Sequence, residues 1–269
     1  MNLNNDGVEF SKKDLSKNIN LPNYLTPELA EIVGIILGDG HLEYNKKYSN
    51  NVIYLVQVSG SSSEDIEYYK NEINPLFYKL FNTKFNIFFR RNDELDVRLY
   101  SKAITTFIKN LGVKSGRKVD NNGIPDIILN SNDEIKKSFL RGVFDTEGSI
   151  TFKKDYFKKH SKPIISLAMK SADFVLQLRR LLEELDFVPI FYKEEYLDNR
   201  SGKITVRYRI ELAGKKNLKK YLEIIGFRNP RHLTKIAIWE KFGFYPPGLI
   251  YKQRKDILDD KLNPLDFYL

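Results

Sequence analysis

Two carboxylates in this chain, Asp39 and Glu147, are each followed directly by a glycine, Gly40 or Gly148. A glycine just past the last helical residue is typical of a helix C-terminus, so each acid is predicted to lie in the last turn of a helix. The helix dipole disfavours a carboxylate there by roughly 0.3–1 kcal/mol. An unfavourable placement that occurs twice indicates a compensating cation and a functional site. Oxygen ligands of this kind suit Mg²⁺, whose remaining ligands a substrate phosphate can supply.

Both acids end apolar segments that carry small residues four positions apart. Gly34 and Gly38 precede Asp39, and Gly142 and Thr146 stand at the same distances before Glu147. Residues four apart share one helix face, and small side chains on that face let two helix backbones approach closely. The predicted helix starts are Thr26 with Pro27 as cap and first residue, and Ser131 with Glu134 as a capping box.

Both stretches resemble the LAGLIDADG motif, which names a family of homing endonucleases. The matching residues are Gly34, Asp39 and Gly40 in the first copy, and Leu140, Gly142, Asp145 and Gly148 in the second. The family's metal-binding position is Asp39 in one copy and Glu147 in the other. Leu37 replaces the first Asp of the motif, which is not the metal ligand in the family. The resemblance extends over about residues 26 to 245.

The resemblance implies an α+β fold of two pseudo-symmetric αββαββα halves. These halves are expected to pack through the paired motif helices, each with an antiparallel sheet that faces DNA. Helix and strand patterns after each motif agree with this plan. The predicted divisions are an N-terminal arm at 1–25, flexible or ordered on contact, a first half at 26–130, a second half at 131–245, and a C-terminal tail or helix at 246–269.

The final predicted strand, 203–212, alternates basic or polar residues with apolar ones, which is typical of a half-buried strand. Its predicted counterpart in the first half is 94–101, because Arg98 and Arg207 are 109 residues apart and the two acids are 108 apart. A sheet with a basic outer face can enter the major groove, where arginine bonds to guanine and lysine mostly meets phosphate. The predicted DNA-binding residues are Arg90, Arg98, Tyr100, Lys193, Lys203, Arg207 and Arg209.

The resemblance further implies that Asp39 and Glu147 each bind a divalent ion against a scissile phosphate, one for each DNA strand. The backbone carbonyls of Gly38 and Thr146 are expected as further ligands. Two or three Mg²⁺ ions are expected, with Mn²⁺ as a substitute and Ca²⁺ supporting binding without cleavage. The remaining catalytic candidates are Gln57 with Ser166 at the matching position, Lys118 in the first half, and Arg231 or Lys235 in the second.

Composition agrees with a polyanionic partner. The 269 residues carry a formal net charge of +9 and a pI near 9.3. The chain has no cysteine and three scattered histidines, which excludes disulfides, thiolate metal sites and a histidine zinc cluster. No apolar run is long enough to span a bilayer, and the N-terminus lacks a signal-peptide core. We therefore expect a monomeric intracellular protein, cytoplasmic in a prokaryote or organellar, that is neither secreted nor bound to membranes.

The predicted function is site-specific hydrolysis of both strands of a long, nearly asymmetric DNA duplex, leaving short 3′ overhangs. An intron RNA maturase and a DNA-binding relative that does not cleave remain open alternatives, because members of the family include both. A self-splicing intein is disfavoured, since the chain has no nucleophilic cysteine and its last residues, 266–269, lack a His-Asn ending.

Overall fold

The computed structural model describes residues 2–48, 51–115, 123–156, 158–198 and 202–268. The first half contains the first motif helix and four strands with helices between and after them. Its elements are α1 (Lys12–Ser16), α2 (Pro27–Gly38), β1 (Gly40–Tyr48), β2 (Asn51–Ser61), α3 (Ile66–Tyr68), α4 (Asn74–Phe81), β3 (Asn86–Phe89), β4 (Glu94–Tyr100), α5 (Lys102–Asn110) and α6 (Asp126–Leu129). A π-helical turn, Tyr69–Ile73, joins α3 to α4.

The second half repeats this order and adds a C-terminal helix. Its elements are α7 (Asp133–Thr146), β5 (Gly148–Lys154), β6 (His160–Met169), α8 (Ala172–Glu184), β7 (Ile190–Asp198), β8 (Lys203–Ala213), α9 (Lys215–Ile224), α10 (Pro230–Phe242) and α11 (Tyr251–Leu258). A 3₁₀ turn, Pro264–Tyr268, follows. The sheets have the matching strand orders β1-β2-β4-β3 and β5-β6-β8-β7, with every neighbouring pair antiparallel. The predicted α+β plan of two αββαββα halves is therefore confirmed.

The two motif helices, α2 and α7, pack through their small residues. A Cβ atom added to Gly34 would lie 2.3 Å from the carbonyl oxygen of Phe139, and one added to Gly142 would lie 2.2 Å from that of Glu31. The apolar residues around this contact are buried and join one hydrophobic core that runs through both halves. Side chains larger than hydrogen would push the two backbones apart, as the spacing predicted.

The glycines that follow the two acids serve a different purpose from the predicted one. Neither Gly40 nor Gly148 has the positive φ of a left-handed cap, and both begin strands. A Cβ on Gly40 would lie 2.4 Å from the Cα of Ile36, and one on Gly148 would lie 2.3 Å from the carbonyl oxygen of Phe144. Glycine is needed here because each strand leaves its helix by turning back closely against the preceding helical turn.

The helix starts agree with the sequence in one half and differ in the other. Thr26 caps α2 by accepting the N–H of Leu29 at 3.2 Å, as predicted. The cap of α7 is Asn132, whose Oδ1 accepts the N–H of Ile135 at 3.2 Å, and the predicted cap at Ser131 is wrong. The Ser131 hydroxyl instead donates to the carbonyl oxygen of Ile127, since α6 ends immediately before it.

The N-terminal residues, for which the sequence predicts an arm that is flexible or ordered on contact, are packed against the first half. Asp14 on α1 is 1% exposed, and its Oδ2 accepts the N–H groups of Lys102 at 3.1 Å and Ala103 at 3.2 Å. These donors belong to the first turn of α5, where backbone N–H groups lack helical partners. Their carboxylate acceptor is 88 and 89 residues away in sequence. Within the described ranges, no helix is long and apolar enough to cross a membrane.

Asp14→Asn is expected to lower the free energy of unfolding by about 1–2 kcal/mol at pH 6. Burial opposes ionisation of Asp14, but hydrogen bonds from Ser101, Ser11 and Ala103 outweigh it and lower the pKa. A lowered folded-state pKa stabilises the protein above the unfolded-state pKa, and this contribution is lost as the pH falls through the folded value. The unfolding free energies of wild type and variant in urea should therefore differ at pH 6 and begin to converge only as the pH falls below about 4. A constant difference across this range, or an equal loss in the exposed-acid control Asp6→Asn, would contradict this role.

Candidate active site and nucleic-acid interface

The two predicted metal-binding acids lie at the same end of the packed helix pair. Asp39 and Glu147 are the C-terminal caps of α2 and α7, and both are partly exposed. The residues before them are in contact, because a Cβ on Gly38 would lie 2.0 Å from the Oγ1 of Thr146. The helices thus bring together two acids that are 108 residues apart in sequence.

The donor atoms at this end of the helices suit a hard divalent cation. The side-chain donors are carboxylate oxygens, and the backbone carbonyls of Gly38 and Thr146 stand beside them in sequence. Arg231 Nη2 donates to the Thr146 carbonyl oxygen at 3.0 Å, which leaves that oxygen one lone pair for a metal. Among the described residues, no group of three His, Cys, Asp or Glu side chains could hold a metal alone. Mg²⁺ commonly binds proteins through one or two carboxylates and completes its shell with phosphate and water, so these residues fit it.

Gln57 and Ser166 occupy matching positions beside the two acids. Gln57 lies opposite His41 on β1, two residues after Asp39, and Ser166 lies opposite Ser149, two residues after Glu147. The predicted pairing of Gln57 with Ser166 is consistent with this register. The Gln57 side chain is already engaged, since its Oε1 accepts from Arg98 Nε at 2.9 Å and its Nε2 donates to Asp96 at 3.1 Å.

The predicted basic residues fall in different places. Lys118 lies outside the described residues. Arg231, near the start of α10, contacts the backbone of Thr146 and lies 3.4 Å from Asp65 Oδ1. Lys235 is one helical turn farther along α10 and lines a cavity with Glu64 and Arg254. Of the two alternatives in this half, Arg231 is therefore the one whose guanidinium reaches the residue before Glu147.

Arg231 is positioned by a buried carboxylate, Asp145, to which the sequence assigned no function. Asp145, in the last turn of α7, is fully buried and accepts the N–H groups of Arg228 and Asn229 at 3.0–3.1 Å. Burial raises the pKa of Asp145 to about 7, although the hydrogen bonds from those two N–H groups oppose the rise. These bonds attach the segment before α10 to the end of α7. The match of Asp145 to the LAGLIDADG motif is the only feature of the sequence that could have identified it as part of the site.

A second buried acid joins the two halves. Glu31 on α2 is 1% exposed, and its Oε2 accepts from Arg141 Nη2 on α7 at 3.0 Å. Arg228 Nε lies 3.4 Å from the other oxygen. Burial raises the pKa of Glu31, whereas the charges of Arg141 and Arg228 lower it. Removing one member of such a buried pair is costly, so this contact helps to hold the motif helices in register.

The outward face of the first sheet carries a carboxylate between two arginines. Asp96, which is 3% exposed, accepts from Arg98 Nη2 at 2.8 Å and lies 2.5 Å from Arg90 Nη2. Ser59 Oγ also donates to Asp96, at 2.8 Å. Tyr100, on the same face of β4, is 44% exposed. The three DNA-binding candidates of this half thus share one face, and Asp96 orients two of them.

The second sheet has a comparable cluster. Glu194 on β7 pairs with Arg207, and its Oε1 accepts from Arg209 Nη2 at 2.8 Å. Lys203 is exposed at the start of β8, on the same strand face as these arginines. Lys193 does not belong to the face, because it lies opposite Tyr208 on β8 and therefore projects to the other side of the sheet. Its predicted place beside Arg207 and Arg209 is wrong.

The number of residues that separates equivalent positions in the two halves changes before the last strand. Gln57 pairs with Arg98, whereas Ser166 pairs with Glu211, so the structural counterpart of Arg98 is Glu211 and not Arg207. The offset is 108 at the acids and 109 at Gln57 and Ser166, but 113 at this pair. The predicted correspondence of Arg98 with Arg207 is therefore wrong, because the connection between β6 and β8 is four residues longer than that between β2 and β4.

The far end of the second hairpin is less buried than its alternating pattern predicted. Ile204 is 73% exposed, and its partner on β7, Leu197, is 60% exposed. Burial on the apolar face begins only near Ile210. The hairpin therefore extends beyond the helices that cover the sheet, and both of its faces are accessible there.

Comparison with known proteins agrees with this architecture. A family model described as a LAGLIDADG-like domain matches residues 134–226. The chain is 25% identical over 222 residues to glutamine--fructose-6-phosphate aminotransferase [isomerizing] of Methanocaldococcus jannaschii, covering 81% of this chain and 18% of that protein. It is 31% identical over 212 residues to the replication factor C small subunit of the same organism, covering 78% and 10%. The chain therefore spans less than a fifth of these two relatives.

Solved structures of homing endonucleases have the same fold. The chain matches I-DmoI in complex with DNA and Ca with a TM-score of 0.53 and 20% identity, over 80% of this chain and 97% of that one. It matches I-WcaI bound to its DNA recognition sequence with a TM-score of 0.50 and 19% identity, over 82% and 89%. The resemblance inferred from the two motifs is thereby confirmed.

Proposed function

We propose that this chain, which carries a LAGLIDADG-like domain and has the fold of the homing endonucleases, is a metal-dependent, site-specific DNA endonuclease. Its substrate is a long, nearly asymmetric duplex, and both strands are hydrolysed to leave short 3′ overhangs. The observation that carries the proposal is the pair of acids, Asp39 and Glu147, at one end of a tightly packed helix pair between two sheets with arginine-bearing outer faces. One chain contains both acids and both sheets, so we propose that it acts as a monomer.

The activities of the longer relatives do not extend to this chain. A segment of about the same length is shared with an aminotransferase and with a replication factor subunit, whose named activities differ. Because the chain covers only 18% and 10% of these relatives, their named activities are not proposed for it. The neighbours I-DmoI and I-WcaI are bound to DNA, and I-DmoI complexes contain Mn, Ca or Mg, which supports DNA and a divalent ion as the partners proposed here.

Asp39 and Glu147 would hold the divalent ions, with backbone oxygens beside them and the scissile phosphates opposite. When bound, such ions activate water, neutralise charge on the phosphate and stabilise the departing 3′ oxygen. Arg231 holds the Thr146 carbonyl and places a cation next to the second acid. Gln57, whose position on β2 matches that of Ser166 on β6, would orient water with the remaining lone pair of its Oε1, whereas Ser166 is 4% exposed and its hydroxyl bonds to that of Ser149.

The two carboxylate–arginine clusters are proposed to read base pairs. An arginine that is held by a carboxylate presents its fork in one orientation, as bidentate recognition of guanine requires. A carboxylate can also accept the N4 amino group of cytosine. The acids would thus favour base contacts over the nonspecific phosphate contacts that unrestrained arginines make.

Asp96→Ala is expected to reduce sequence discrimination more than affinity. Removing Asp96 frees Arg90 and Arg98 and deletes one negative charge, so binding to unrelated duplex should strengthen. Discrimination against single base-pair changes under the first sheet should fall by about 1–3 kcal/mol. Dissociation constants for the preferred duplex and its single-substitution variants, all at one salt concentration in Ca²⁺, measure this. Glu94→Ala, an exposed acid on the same strand face, is the matched control. Equal discrimination in the two variants would refute the orienting role.

Cleavage of a randomised duplex library in Mg²⁺, followed by sequencing of the cut ends, tests the proposed function. Reactions in Ca²⁺ and with the double variant Asp39→Asn/Glu147→Gln are the controls. Cuts at one long motif with short 3′ overhangs, absent from both controls, are the expected result. Retained duplex binding without cutting would favour a non-cleaving DNA-binding protein. Faster splicing of an intron RNA by the protein, again without DNA cutting, would favour a maturase.

A further inference from the structure

A cavity of about 560 Å³ lies against β5, which is an edge strand of the second sheet. Residues from α10, α11 and the segment before α3 complete its wall. Its lining includes Glu64, Thr151, Phe152, Arg231, Lys235 and Arg254. Thr151 is exposed and lies on the outward face of β5 with Ser149, whereas Phe152 faces the core. Ile150 and Phe152, which are buried, line the cavity together with Thr151, so the cavity lies along the edge of β5 and reaches the face proposed to meet DNA at Thr151.

The acidic groups of this region are already bound to arginines. Arg254, which is 1% exposed, pairs with Glu64 and donates to the Leu249 carbonyl oxygen at 2.7 Å. Arg231 lies 3.4 Å from Asp65 Oδ1 and donates to the Thr146 carbonyl oxygen. The carboxylates thus balance the two arginines and leave the wall with the charge of Lys235 in excess.

Lys235 is the cation that remains. Within the part of the chain that the structure describes, its ammonium group has no hydrogen-bond or ion-pair partner. Burial, together with the charges of Arg254 and Arg231, lowers the pKa of Lys235 to about 8, although Glu64 and Asp65 oppose this decrease. A half-buried ammonium group beside two guanidinium groups is costly without an anion, and a bound anion would remove that cost.

We propose that this cavity binds a phosphate group, with Lys235 as its principal cation and the Thr151 hydroxyl at its mouth. The ligand is tetrahedral and anionic, and two sources can supply it: a backbone phosphate of bound duplex or a free phosphate compound. The position beside the outward face of β5 favours the duplex. The pair of acids does not line this cavity, although Arg231 contacts both regions, and anion binding requires no cleavage, so the first test uses neither metal nor DNA.

Inorganic sulfate is the probe for the first test, because its charge does not change between pH 7 and 9. Calorimetric titration of the free protein should show saturable binding that Lys235→Gln weakens at least tenfold. Lys241→Gln is the matched control, since Lys241 is on the same helix but pairs with Asp260 at 2.6 Å. Absence of binding to the wild type, or equal binding by wild type and Lys235→Gln, would overturn the proposal.

The pH dependence supplies a readout that a structural role would not produce. The charged and titratable groups around Lys235 are Arg231, Arg254, Glu64, Asp65, His160 and Tyr245. The pKa of His160 is lowered from 6.5 by burial and that of Tyr245 is raised above 10 by burial, so Lys235 dominates the titration between pH 7 and 9. Because the pKa of Lys235 is about 8, the protonated fraction of its ammonium group falls from roughly nine-tenths at pH 7 to one-tenth at pH 9. The affinity for sulfate should therefore fall about tenfold over this interval. Lys235→Arg should bind at both pH values, and an identical pH profile in this variant would overturn the assignment.

A second experiment distinguishes the two sources of the phosphate group, bound duplex and a free phosphate compound. If the cavity takes a backbone phosphate, saturating duplex in Ca²⁺ should displace sulfate, and Lys235→Gln should lower the salt dependence of duplex binding by about one counterion. If it takes a free phosphate compound, sulfate should bind equally well with duplex present. Either result keeps the phosphate site, and failure of the protein to cleave DNA affects neither.

Discussion

Asp39→Asn and Glu147→Gln are each expected to abolish double-strand cleavage, with a rate loss of at least about 10²–10³-fold, while duplex affinity changes little. Each substitution preserves the shape of the side chain but removes the negative charge that holds a divalent ion. The arginine clusters that are proposed to contact DNA do not include these two acids, so binding should survive. A supercoiled plasmid that carries the preferred site measures both strands at once. Linear product should disappear in each variant.

Asp133→Asn and Glu134→Gln provide controls for the chemical change. Both are exposed acids in the first turn of α7, at the end of the helix opposite Glu147. Their loss should leave the plasmid fully linearised. Full linearisation by either Asp39→Asn or Glu147→Gln would refute the assignment of two essential acids, and loss of duplex binding in both would show that the acids are structural.

The sequence predicted the elements that depend on local pattern. Small-residue spacing identified the motif helices, α2 and α7, and alternation identified the last strand, β8. The segment 66–81 is helical with an interruption, because Pro75 lacks the N–H that a regular helix needs and a π-helical turn, Tyr69–Ile73, precedes it. Pro75 thus indicates where the helix is interrupted, but it does not predict the π-helical turn.

Positions that depend on long-range pairing could not be predicted in this way. The face on which Lys193 lies is set by the pairing of β7 with β8, and a shift of one residue moves a side chain to the other face. The counterpart of Arg98 depends on the length of the connection between β6 and β8. Asp14 reaches α5 across 88 residues, which no periodicity records.

The candidate site was predictable where the motif itself carries it. Asp39 and Glu147 follow from two copies of one pattern, and Gln57 with Ser166 follows from an offset of 109, which differs by only one residue from the 108 between the acids. Arg231 and Lys235 are four residues apart on one helix, so spacing alone cannot distinguish them. The contact of Arg231 with the Thr146 carbonyl does so, because it depends on how Asp145 anchors the start of α10.

Gly142→Ala is expected to destabilise the protein even though alanine is the better helix former. Intrinsic propensity alone would favour alanine by about 0.8–1 kcal/mol. The new Cβ, however, would lie 2.2 Å from the Glu31 carbonyl oxygen and 2.9 Å from the Ile35 nitrogen, which are backbone atoms that cannot rotate away. The helices must separate, and overpacking of this kind costs about 1–3 kcal/mol or more. The sign of the change in unfolding free energy therefore distinguishes packing from propensity.

Urea unfolding of Gly142→Ala should show a lower midpoint, and cleavage should fall more than duplex binding, because separating α2 from α7 moves Asp39 relative to Glu147. The Glu31–Arg141 ion pair spans the same contact, so its 3.0 Å geometry would be strained as well. Gly123→Ala is the control, since its Cβ would meet only the flexible end of Gln177 at 3.4 Å. If Gly142→Ala proved as stable and active as this control, close approach of the motif helices could not be what holds the two acids together.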